Sequence, residues 1–210
     1  MQTNRIERTN LYYKKDKLIF LNGIVQMTER YLTIAGEAEG IYKDKGSKFL
    51  AFAVPAESIE DVKEQLEQFR QRYHDARHVC YAYMLGAERQ DYRANDDGEP
   101  SGTAGRPILG QINSRQLTNI LIVVVRYFGG ILLGTGGLIT AYKEAASDAL
   151  SRAEIVEKDV MIRKTLRFPY EKMNEVMRLL KDTQAVITRQ DFDGECIIEC
   201  NIKLSYADRF

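Results

Sequence analysis

Glycine crowding between Arg93 and Tyr142 constrains this chain more than any other feature. The window holds nine of the chain's fifteen glycines: Gly98, Gly102, Gly105, Gly110, Gly129, Gly130, Gly134, Gly136 and Gly137. Glycine loses more backbone freedom on folding than other residues, so such a concentration marks turns or close approaches that the fold requires. An acidic, Gly/Pro-punctuated loop from Asn95 to Arg106 precedes an apolar β-branched run, Ile120 to Val125. A second glycine loop then leads into a helix. Loop, strand, loop and helix in that order is the layout of a site.

At 210 residues the chain accommodates one large domain or two small ones, and the pattern below favours two. Thirty basic and thirty acidic side chains cancel, so bulk charge gives no argument for nucleic-acid binding and any such role needs a local basic patch. Three cysteines, Cys80, Cys196 and Cys200, leave one unpaired under any disulfide scheme, which fits a reducing cytoplasm. No stretch approaches the roughly 18 apolar residues of a membrane span, and the first residues lack the order of a signal peptide. No membrane partner is expected.

Residues 1 to 26 show no sustained period and read as a poorly ordered extension, or as an upstream start with Met27 opening the folded part. An N-terminal domain is expected over 27 to 155. It begins with a strand-like stretch from Tyr31 to Tyr42 that turns at Gly46 into a second strand, Lys48 to Val54. Ser58 with Asp61 three residues later opens a helix whose Ile59, Val62, Leu66, Phe69 and Tyr73 recur at helical spacing. His78 to Leu85 reads as a third strand, and Gly137 to Ala153 as an alanine-rich helix packed on the sheet. Glu154 to Asp159 reads as a charged connector. A second domain follows over 160 to 210: a strand, a helix after Pro169, and a hairpin around Asp193-Gly194. These are the first three quarters of a ferredoxin-like unit. The second helix and fourth strand are missing from the sequence, so one face of this sheet is expected to be exposed or covered by a partner.

Enzyme templates fit the glycine window poorly. Gly129 and Gly134 have P-loop spacing after a strand, but Thr135 stands where the phosphate-binding lysine belongs. The dinucleotide fingerprint fails at Ile139. What remains is a loop whose free amides and helix start can hold an anion, with Arg126 beside it, or whose glycines merely permit turns and close packing. Asp96, Asp97 and Glu99 resemble a hard-cation cluster without the spacing of a calcium loop; Mg²⁺ binding and plain turn chemistry both stay open. The near-zincin HDARH, His74 to His78, runs into a strand rather than along a helix, and so does not support zinc chemistry. Ser101 and Thr103 lack a nucleophile elbow. Neither a cofactor nor a resident metal is implied.

The segments DDGEPSGTAGRPIL, from Asp96, and VVVRYFGGILLGTGGLITAY, from Val123, are together similar to the signature of the IMPACT family, also called uncharacterised protein family 0029 or the YigZ-like proteins. KGSKFLAFA around Lys48 and DARH at Asp75 to His78 support the resemblance, which runs from about Ile34 to Leu204. It implies an α+β chain. The N-terminal domain would have the domain-two-like fold of ribosomal protein S-five, and the C-terminal domain the ferredoxin-like fold of elongation factor G domain five. Translation is the theme it implies. The kinase-pathway regulation known for eukaryotic members uses an additional N-terminal domain with no counterpart in this sequence, so that activity is not carried over.

The leading expectation is therefore a non-enzymatic, cytoplasmic, translation-related protein that binds RNA or the ribosome through one surface of the N-terminal domain. Arg126 and the amides of Gly129, Gly130, Gly134, Gly136 and Gly137 would meet phosphate, and Tyr127 or Phe128 would stack a base. Lys48 and Arg106 would add charge, with His78, Asp96, Asp97, Glu99, Ser101 and Thr103 lining the same surface. The alternative is a Mg²⁺-dependent enzyme acting on a phosphorylated small molecule or nucleotide with Asp96, Asp97 and Glu99. A third reading is an interaction module that self-associates through the uncovered C-terminal sheet.

Overall fold

The computed structural model describes residues 28–210. The expected extension over residues 1 to 26, and the start at Met27, lie outside the described residues. The chain is α+β. Its main body is a five-stranded sheet in the order β2-β3-β6-β4-β5, made from β2 (Ala38–Asp44), β3 (Ser47–Pro55), β4 (His78–Leu85), β5 (Asp91–Asn95) and β6 (Ile120–Tyr127). Its paired strands run antiparallel.

The position of β6 follows from its composition. A strand that alternates has one wet face, whereas ILIVVV is apolar throughout and needs cover on both faces. It receives that cover as the middle strand. Ile120, Ile122 and Val124 pack in one core with α2 (Gly105–Ser114) and α3 (Gly134–Arg152). Leu121, Val123 and Val125 pack on the opposite side with Val62, Leu66 and Phe69 of α1 (Ile59–Arg72). Burial of each such side chain stabilises by about 1.5–3 kcal/mol, so this strand anchors the unit.

Helix α1 starts where its cap residues place it. The Ser58 hydroxyl accepts from the Asp61 amide while the Asp61 carboxylate accepts from the Ser58 amide, a reciprocal capping box. The alanine stripe of α3, Ala141, Ala145, Ala146 and Ala149, lets that helix lie close on the sheet. At Gly40 of β2 a side chain would run into the backbone of Ala149.

Several sequence expectations change. The stretch from Tyr31 to Tyr42 is two strands, because the chain bends at Ala35 and Gly36 and the part from Ala38 onward pairs with β3 in the five-stranded sheet, which the first part does not join. The first of these, β1 (Arg30–Ile34), pairs with β7 (Ile155–Asp159), so the expected charged connector is a strand. β5 and α2 are additional elements, and α2 takes the last two residues of the expected loop. Helix α3 begins at Gly134, one turn before Gly137.

Beyond Val160 stand β8 (Met161–Phe168), α4 (Met173–Asp182), β9 (Val186–Asp191) and β10 (Cys196–Lys203). Their sheet order, β8-β10-β9, is the ferredoxin-like arrangement of a first, third and second strand. Ile198, Cys200 and Ile202 form its core with Leu180 of α4. On β8, the alternate residues Met161, Arg163, Thr165 and Arg167 are exposed.

Candidate functional site

One end of the five-stranded sheet gathers the start of β3, the start of β4, the end of β6 and the two loops the sequence singles out. Strand register decides which side chains meet. His78 and Phe49 both lie opposite Arg126, so the three share the face covered by α2 and α3. Lys48 lies opposite Tyr127 on the other face.

On the inner face the polar groups form a buried network around Glu99. Its Oε1 accepts from Arg126 Nη1 at 2.5 Å and from the Tyr142 hydroxyl at 2.8 Å, and His78 Nε2 lies 3.9 Å away. Glu99 is 8 % exposed and Arg126 5 %. The Arg126 guanidinium sits over the rings of Phe49, at 5.4 Å, and Phe128, at 5.6 Å, while its buried Nε has no partner among the described residues. His78 Nδ1 is 2.7 Å from the Asp97 carbonyl, which can accept and not donate, so Nδ1 carries the proton. Cys80 lies 3.3 Å from the Tyr142 hydroxyl. Burial pushes both the Cys80 thiol and the Tyr142 phenol well above their ordinary range, so neither is a nucleophile near neutrality.

The acidic loop is consumed internally. Asp96 accepts from the amides of Gly102 (2.8 Å), Ala104 (3.0 Å) and Gly105 (2.8 Å), and thereby caps α2 from outside its own sequence neighbourhood. Burial opposes ionisation of Asp96. Those amides, with Arg106 nearby, outweigh it and hold the carboxyl below its usual range. Asp97 accepts from the Val79 amide at 2.7 Å, and Asp97 and Gly98 both adopt left-handed backbone, the turn chemistry their sequence suggests. Among the described residues no three His, Cys, Asp or Glu side chains stand together as a metal-ligand set, and these three carboxylates spend their lone pairs on the protein. Thr103 is buried and donates its hydroxyl proton to the Pro100 carbonyl, while Ser101 is exposed.

The glycine loop has a fixed base and an open tip. Gly129 donates its amide to Ser47 Oγ at 3.1 Å, and a Cβ on Gly129 would overlap the Gly46–Ser47 backbone. Gly130, Gly134 and Gly136 have open space where a side chain would project, and Gly137 packs near Leu133. No side chain caps the start of α3.

The site residues therefore divide. Arg126, expected at the surface on phosphate, points inward and holds Glu99 instead. Tyr127 is half-buried and donates its hydroxyl to Asp75 at 2.9 Å, whereas Phe128 stays 40 % exposed with the Arg77 guanidinium 5.8 Å from its ring centre. Lys48 and Arg106 are exposed. The sequence reading missed Lys45, in the turn that meets Gly129, and Arg77, next to His78; both are exposed. Among the described residues Lys45, Lys48, Arg77 and Arg106 belong to no ion pair. Clefts of about 300 Å³ beside Glu37, Pro55 and Phe69, and of about 350 Å³ beside Arg30, Glu88 and Arg89, share no lining residue with this end.

Comparison with known proteins bears directly on this end. The model of the Impact N-terminal domain matches residues 45–150, which contain every residue placed at this end, from Lys45 to Tyr142. The chain is 36% identical over 184 residues to IMPACT family member YigZ of Escherichia coli, covering 87% of this chain and 90% of that protein. It is 34% identical over 186 residues to IMPACT family member YvyE of Bacillus subtilis, covering 88% and 85%. A crystal structure described as that of a hypothetical protein superimposes with a TM-score of 0.74 at 32% identity, over 87% of this chain and 90% of the other. No helix among the described residues is long and apolar enough to cross a membrane.

Proposed function

Because the chain belongs to the IMPACT family, we propose that it is a translation-related regulatory protein that binds RNA, on the ribosome or free, through the glycine-loop end of its five-stranded sheet. One observation carries this reading. At that end Asp96, Asp97 and Glu99 are tied up by the protein's own donors, while Lys45, Lys48 and Arg77 face solvent outside any ion pair among the described residues. A chain with zero net charge thus presents a locally cationic surface beside uncapped helix amides.

Binding of a fluorescent ribosomal RNA fragment, followed by polarisation from about 50 to about 200 mM salt, tests the proposal. The expected result is affinity that falls steeply with salt, and a Lys45→Ala/Lys48→Ala/Arg77→Ala variant that binds at least about tenfold more weakly with a shallower salt slope. Absence of binding at low salt, or an unchanged slope in the variant, overturns it. Arg126→Ala is the wrong probe, because it strands a buried carboxylate.

A further inference from the structure

The tip of the glycine loop is apolar, and folding does not account for it. Leu132 is 82% exposed, more than any other large apolar side chain among the described residues, and its neighbour Ile131 is 57% exposed. The tip is also held in place. Below it on one side Gly129 is bonded to Ser47, and on the other Leu133 is buried at 9% exposure. Gly130 and Gly134 supply the left-handed turns, at φ 88 and 72, that lift the residues between them away from the body. A pair of branched apolar side chains is thus projected on a short, anchored arch.

The surroundings narrow the partner. The end of the β2–β3 hairpin that meets the arch carries exposed Lys43, Lys45 and Lys48, and Arg77 lies against Phe128 at the foot of the arch. A partner for this surface must be anionic over its breadth and must accept an apolar insertion at its centre. Nucleic acid combines the two, with phosphates outside and base faces within, and apolar side chains that part a base step are an established mode of contact.

We propose that Ile131 and Leu132 form a wedge that enters between adjacent bases of a structured RNA, while the lysines and Arg77 hold the flanking phosphates. The proposal rests on the RNA-binding reading above and adds the mode of engagement: RNA with an opened base step, in preference to a featureless single strand.

The test uses the full chain and a bulged RNA hairpin carrying 2-aminopurine beside the bulge, whose fluorescence rises when the base is unstacked. Wild type is expected to bind with a fluorescence increase, and Ile131→Ser/Leu132→Ser to bind about tenfold more weakly without it, at unchanged melting temperature. Equal affinity of both proteins for the hairpin, or binding without any fluorescence change, overturns the wedge and leaves RNA binding standing. Failure of both proteins to bind any RNA at low salt overturns the parent reading as well. If the double variant instead loses a nuclease-resistant association with a ribosomal protein, the arch serves a protein pocket and the wedge is wrong.

Discussion

At the scale of single residues, the Glu99–Arg126 pair is where sequence and structure differ most usefully. The sequence places both among the surface groups of one site. They do come together, but turned inward, because register puts Arg126 opposite Phe49 and His78 on the covered face. A loop residue such as Glu99 has no periodicity from which to read its direction. Glu99→Gln removes the charge that balances a guanidinium only 5 % exposed, and the expected loss is about 3 kcal/mol in urea unfolding. A loss below about 1 kcal/mol would show the arginine to be solvated. Asp96 carries a different expectation, one of pH. Its folded carboxyl titrates below the unfolded value of about 3.9, so its contribution is fully present above that pH and is lost as pH falls through the folded value. Asp96→Asn should therefore be less stable than wild type at neutral pH, and the two unfolding curves should converge below about pH 4. A constant gap across that range would count against the capping role.

At the scale of elements, the same glycine motif contains positions with opposite sensitivities. Gly129→Ala forces a methyl into the Gly46–Ser47 backbone and should cost about 1–3 kcal/mol, read as a lower melting temperature. Gly136→Ala meets open space inside the first turn of α3 and should raise stability by about 0.5–1 kcal/mol. A stabilised Gly129→Ala protein would mean that the loops do not touch. The helices show equally well what a sequence can reveal. Helix α1 is legible because its cap and its buried Val62, Leu66 and Phe69 are local and periodic; Ile59, counted in the same stripe, is in fact 42% exposed at the helix start. Helix α2 is not legible. Ala104 occupies its cap position, Pro107 and Gly110 dilute its propensity, and the carboxylate that satisfies its first amides comes from Asp96, eight and nine residues upstream. The early start of α3 at Gly134 is hidden for a similar reason, since three glycines in four residues give no helical signal until Leu138 and Tyr142 are packed.

At the scale of the whole molecule, two hydrophobic bodies of unequal size share one chain. The five-stranded sheet is packed on both faces, whereas the C-terminal sheet rests on α4 and a core of six buried residues, among them Cys196, Ile198, Cys200 and Ile202. Calorimetry is expected to resolve two unfolding transitions, with the smaller body melting first. Ile198→Ala, an approximately 2–5 kcal/mol cavity, should lower the first transition and leave the second in place. A single transition shifted as a unit would mean that the two bodies unfold together. Before the smaller body comes the ribbon of β1 and β7; β1 falls largely within the strand-like stretch from Tyr31, but its pairing with the charged β7 is invisible in the sequence because the two lie more than a hundred residues apart. That ribbon zips the beginning of the larger body to its end, with the Ala35 amide on the Glu154 carbonyl at its base. The entrance and exit of the larger body are therefore adjacent, the geometry that suits a module for insertion into a loop of another protein or for a circular permutant opened elsewhere on its surface.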